Sequence, residues 1–67
     1  MSDNLTDLAE IELPYRRKAI LRRVEFDSGL SMVRLVLREG TRITQVDLDA
    51  ETATTLADAM TAAARDL

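Results

Sequence analysis

Two glycines do most to constrain what this chain folds into. Gly29 and Gly40 are its only glycines. Each closes a short polar tripeptide, Asp27-Ser28-Gly29 and Arg38-Glu39-Gly40, lying between runs of alternating apolar and polar residues. Glycine reaches positive φ without steric penalty, as a tight hairpin turn requires. After Gly40 comes one more alternating run, then Asp49, an N-cap residue type, and an alanine-rich amphipathic stretch. The order reads strand, turn, strand, turn, strand, helix.

The three strands are expected over Lys18–Phe26, Ser31–Arg38 and Thr41–Leu48. With Ser28-Gly29 and Glu39-Gly40 as two-residue loops, Val24 pairs with Val33, and Val33 with Val46. One face then gathers Ile20, Val24, Phe26, Val33, Leu35, Leu37, Val46 and Leu48. A slip of one residue would scatter this set over both faces. Three-residue loops are the alternative, because Ser-Gly and Glu-Gly turn less decisively than Asn-Gly.

The helix is expected from Ala50 to Asp66, with Asp49 as cap and Glu51 favourably placed in the first turn. Ala53, Leu56, Ala57, Met60, Ala63, Ala64 and Leu67 recur at the helical period and should cover the apolar sheet face. The expected fold is α+β: a three-stranded antiparallel β-meander packed by one C-terminal α-helix over residues 11–67. Residues 1–10 are polar and acidic and are expected as a mobile tail. Ile11 and Leu13 make a short extended piece, and Pro14, which lacks an amide donor, belongs at an edge or outside the sheet.

Size sets the next constraint. A chain of 67 residues makes one small domain, and such domains usually need a staple. Disulfides are excluded, because there is no cysteine. With histidine also absent, a zinc site of the usual ligands is excluded. Self-association is the staple that remains, and the expected partner is a second copy in a homo-oligomer, a dimer being favoured, or another protein to which the chain is an accessory subunit. No secretory leader and no apolar run of membrane length is evident, so the expected location is cytoplasmic.

Chemistry is thinly supplied. No histidine is present to act as base for a nucleophile. Asp47, Asp49 and Glu51 form the densest carboxylate cluster, but strand end, helix cap and first helical turn account for them. There is no phosphate-binding glycine motif. The chain is read as a non-enzyme without cofactor or metal.

The net charge of −3 argues against general nucleic-acid binding, yet eight of the nine basic residues fall within residues 16–42. The expected register places Leu21, Val36 and Ile43 in an apolar row on the second sheet face. Arg23 and Arg34 stand opposed in the adjoining row. Arg38 and Tyr15-Arg16-Arg17-Lys18 extend the basic side. These residues, Leu21, Arg23, Arg34, Val36, Arg38 and Ile43, are the candidate interaction face. A protein-interaction module is the expected function, and a single-strand nucleic-acid binder using the basic sheet face is the alternative.

Leu13-Pro14-Tyr15, Glu25-Phe26-Asp27-Ser28-Gly29, the run Arg34–Gly40 and Val46-Asp47-Leu48-Asp49 resemble a family of small bacterial proteins of unknown function. That resemblance implies no activity. The meander ending in Leu48-Asp49, with Glu51 opening the helix, is similar to the C-terminal part of positive-cofactor-four-like single-strand-binding domains. It implies dimerisation and binding of single strands on a basic, aromatic sheet. One Phe, one Tyr and no Trp leave little here on which bases can stack.

Overall fold

In a computed structural model, which describes residues 3–67, the strands run β1 (Asn4–Leu13), β2 (Arg17–Glu25), β3 (Ser31–Glu39) and β4 (Arg42–Leu48). They form one antiparallel sheet in the order β1-β2-β3-β4. Helix α1 (Ala50–Arg65) follows. The meander and the C-terminal helix are as the sequence predicts, but the sheet has four strands rather than three.

The added strand is the segment expected as a tail. Residues 4–10 join Ile11–Leu13 in a ten-residue edge strand, while residues 1 and 2 lie outside the described residues. Its acids find cations on β2: Asp7 is in register with Arg22, and Glu12 with Lys18. Leu8 is left over in a bulge between Asp7 and Ala9. One extra residue inverts the facing of the strand beyond it, so Ala9, Ile11 and Leu13 share the side of Leu21.

The two glycine turns form, each in a frame other than the expected one. Gly29, at φ 91°, closes the three-residue loop Asp27-Ser28-Gly29, and the Phe26 amide donates to the Leu30 carbonyl at 2.8 Å. A three-residue loop shifts β2 by one residue against β3, so Val24 pairs with Met32 rather than Val33. Ile20, Val24 and Phe26 thereby leave the face of Val33, Leu35 and Leu37, and Ala19 and Leu21 replace them. The second loop is Gly40-Thr41, flanked by the pair Glu39 and Arg42. Gly40 has φ 62° and Thr41 no positive φ, the glycine-first pattern of a type II′ hairpin. This frame is two residues from the expected pairing, so parity holds and Leu35 faces with Val46.

A third turn, Pro14-Tyr15-Arg16, joins β1 to β2. Tyr15 (φ 63°) and Arg16 (φ 61°) are both left-handed, an unfavourable region for side chains of this size. Tyr15 projects into solvent, with the Arg17 guanidinium 5.8 Å from its ring centroid.

Helix α1 starts where expected. The Asp49 carboxylate accepts the Thr52 amide at 2.7 Å. Thr54, Thr55 and Thr61 each donate their hydroxyl to the carbonyl four residues back, so these groups are satisfied within the helix.

The best-buried side chains are not under the helix. Ile20, Val24 and Val36 are buried on the opposite face, with Val24 fully so. Val24 lies in register between Leu5 and Met32, and Ile20 lies beside Val36 between rows of long cationic side chains. The aliphatic stems of arginine and lysine cover short β-branched neighbours while their heads stay in water. On the helix side Ala19 alone is buried among the described residues, and no residue of α1 is.

Candidate functional site

The observed register divides the six expected interaction residues between the two faces. Leu21 and Arg23 point to the helix side, Leu21 level with Ala9 and Leu35, and Arg23 level with Thr6 and Val33. Arg34, Val36, Arg38 and Ile43 lie on the other face. The expected row of Leu21, Val36 and Ile43 is therefore not formed. Val36 stands beside Ile20 and is only 4% exposed, so it belongs to the core of the single chain. The cause is the three-residue Asp27–Gly29 loop, which reverses β2 relative to β3.

The face away from the helix carries a charge ladder. Arg22 and Arg34 are directly opposed on the central strands, an unfavourable pairing of like charges. Each turns outward to an aspartate. Arg22 Nε donates to Asp7 Oδ1 at 2.8 Å. Arg34 binds Asp47 through two parallel bonds, Nε to Oδ1 at 2.8 Å and Nη2 to Oδ2 at 3.1 Å. Lys18 reaches Glu10 at 3.6 Å. In number, Lys18, Arg22, Arg34 and Arg38 equal Asp7, Glu10, Glu12 and Asp47 on the outer strands, although Arg38 stands level with Ile43 on β4 and not with an acid. Basic as β2 and β3 are, the whole face is balanced.

The carboxylate cluster at the start of α1 is taken up by structure. Asp47 holds Arg34 and Asp49 caps the helix, and the described residues contain no cluster able to hold a metal ion. The Arg34 hydrogen bond keeps the Asp47 carboxyl below the usual carboxylate range, and the Thr52 amide does the same for Asp49. Both groups have a lower pKa folded than unfolded. Their stabilisation is complete above the ordinary aspartate value of about 3.9 and is lost as pH falls through the lowered folded values. The melting midpoint is expected to drop on acidification below about pH 4. That acid limb should be shallower in an Asp47→Asn/Asp49→Asn protein, because the asparagine introduced at the helix start still caps but does not titrate. An unchanged acid limb, followed by thermal melts at stepped pH, would assign the loss to other carboxylates.

The helix side is unbalanced in a different sense, because it is apolar and open. A helix is about 10 Å wide, whereas the outer strands of a four-stranded sheet stand about 14 Å apart. One helix cannot cover four strands. Ile11 (49% exposed), Leu37 (39%) and Val46 (47%) lie beyond it. The helix stripe is itself partly open, with Leu56 at 40% and Met60 at 59%. Between helix and sheet runs a groove of about 260 Å³, with Leu21, Leu35, Leu48, Ala53, Leu56 and Met60 among its lining residues. Leu37, Val46, Leu56 and Met60 are expected from sequence to be covered. The available signal is the alanine content of the stripe, since small side chains fill little of the space a sheet presents.

No helix among the described residues is long and apolar enough to cross a membrane. No curated protein and no solved structure matches the chain. A family of unknown function (DUF6967) matches over residues 2–66, nearly the whole length, and the chain belongs to that family.

Proposed function

We propose that the protein is a non-enzymatic interaction module that works as a homodimer. The observation that carries this reading is surplus surface. The chain exposes 5576 Å², whereas a compact monomer of 7.5 kDa exposes about 4,200 Å². Its radius of gyration is 13.4 Å, against about 11 Å for a compact chain of 67 residues. The molecule is a slab of 43 × 29 × 16 Å. A small domain with no cysteine for a disulfide and no cysteine or histidine for a zinc site has little stability to spare, and association is a way to bury more apolar area.

Sedimentation across a concentration series tests the reading. A mass near twice 7.5 kDa at micromolar chain, falling on dilution, is the expected result. A monomer mass up to millimolar chain would overturn it.

Single-strand nucleic-acid binding is the second reading. It is favoured by Lys18, Arg22, Arg34 and Arg38 sharing one face. The four carboxylates on the outer strands weigh against it, because a strand-binding groove tracks phosphates with uncompensated charge. Binding of an oligothymidylate that weakens steeply with salt would favour this second reading over the first.

A further inference from the structure

We infer that the helix-bearing face is the dimer interface, and that the occupant of its groove is the same face of a second copy. The inference rests on the self-association reading and adds where the contact lies.

Four surfaces compete for the role: the two sheet faces and the two edge strands. The face opposite the helix is the more closed of the two, with Leu5 and Ile43 exposed on its outer strands. Its apolar residues Ile20, Val24 and Val36 are buried within the chain, and Lys18, Arg22 and Arg34 are paired with acids across strands. Covering it would strip water from the Arg22–Asp7 and Arg34–Asp47 pairs, and desolvating ion pairs opposes association. The β1 edge carries Asp7, Glu10 and Glu12 and a bulge at Leu8, features that discourage strand addition. The β4 edge is shorter and is the one serious rival.

The helix side also carries charges, Arg23 and the Arg17–Glu39 pair, but it leaves more apolar residues exposed. Its exposed residues Ile11, Leu37, Val46, Leu56 and Met60 form an apolar tract reaching from β1 across the sheet onto the helix. The charges of α1 stay off the tract: by the helical period, Glu51, Asp58 and Arg65 fall on the side away from Ala53, Leu56 and Met60. The threonine hydroxyls at positions 54, 55 and 61 are spent on the helix's own carbonyls. Burial of this stripe therefore strands neither those charges nor those donors.

Area and symmetry identify the occupant. The surplus surface is about 1,400 Å² per chain, more than the roughly 800 Å² that each partner buries in a standard interface. Under a two-fold axis the tract meets itself, apolar against apolar, with the contact centred away from Arg23 and the Arg17–Glu39 pair on the same face. The small side chains Ala53 and Ala57 let an apposed helix approach closely, and the open groove beside them receives the larger Leu56 and Met60 of its mate.

The test compares substitutions on the two faces of the full chain. Met60→Glu and Ile43→Glu each place a charge where the side chain is more than half exposed in a single copy. Met60→Glu is expected to sediment as a monomer at concentrations where the parent is a dimer, and Ile43→Glu as the parent does. Met60→Glu also loses its fold if the copies fold only together, so a second arm avoids charge. The chain has no cysteine, and a single introduced thiol therefore reports one place. Met60→Cys is expected to react with a maleimide about ten-fold more slowly at high chain concentration than at high dilution, because only free chains react. Ile43→Cys should react at one rate throughout.

A Met60→Cys thiol that labels equally fast at both concentrations, in a protein that sediments as a dimer, overturns the inference. The self-association reading then stands, with the contact elsewhere. A parent that sediments as a monomer at every concentration overturns both.

Discussion

Val24→Asp is expected to leave the chain unfolded or close to it. Val24 is the one large side chain among the described residues that is fully buried, and it sits in the middle of the sheet between Leu5 and Met32. An aspartate there has no cation in its row, and Arg22 and Arg34 in the next row are already engaged by Asp7 and Asp47. An uncompensated buried charge costs about 3–5 kcal/mol. A domain of this length has about 3–10 kcal/mol of stability in total, so the substitution consumes most or all of it. Val24→Ala removes only two methyl groups and should cost about 2 kcal/mol. Ile43→Asp, on the same face but 54% exposed, should change little. Far-ultraviolet circular dichroism with urea titration separates the three. A Val24→Asp protein with the parent's midpoint would mean that this face is not the core.

The second large effect concerns the turns. Gly40→Val and Gly29→Val are each expected to destabilise by about 1–3 kcal/mol. Neither site is crowded, since a Cβ built at either glycine meets nothing within 4 Å. The penalty is therefore backbone strain alone, at φ 62° and 91°, where a β-branched residue is disfavoured. Gly40 should be the more sensitive, because its two-residue loop has no further residue to absorb a change. The opposite sign is expected at Arg16, which already stands at φ 61°. Arg16→Gly relieves a left-handed conformation worth about 1–2 kcal/mol and gives back part of that in chain entropy, leaving a gain of about 0.5–1 kcal/mol. Urea midpoints measure all three. A harmless Gly40→Val would contradict the type II′ turn.

These predictions draw on features that differ in how visible they are along the chain. Helix α1 was legible because its signals are local and agree with one another: Asp49 as cap, Glu51 in the first turn and a 3.6-residue stripe of small apolar residues. The glycine turns were legible for the same reason, and so were β3 and β4, whose apolar residues mostly keep one phase of alternation. The pairing of β2 was not. Ala19 and Leu21 are apolar in one phase, Ile20 and Val24 in the other, so alternation supports either facing equally. The choice between a two-residue and a three-residue loop at Gly29 then settles every partner of β2 on β3. With the wrong parity, Leu21, Val36 and Ile43 line up as a row that the folded chain divides between two faces.

The first strand shows the same limit from another side. Asn4, Thr6, Asp7, Glu10 and Glu12 make its first nine residues mostly polar, and alone the segment reads as a solvated tail. Its acids acquire a structural meaning only beside Arg22 and Lys18, the partners of Asp7 and Glu12 across the sheet. The Leu8 bulge that turns Ile11 toward the helix side exists only once β2 is its neighbour. Sequence by itself determined the elements whose evidence is local: the helix and its cap, the two glycine turns, and the order of the meander. Tertiary structure alone decided the register of β2, the recruitment of β1 and hence which apolar residues are left uncovered. The physical reason is that strand facing has a period of two, so one residue in a loop or a bulge, nearly neutral in local energy, inverts an entire face.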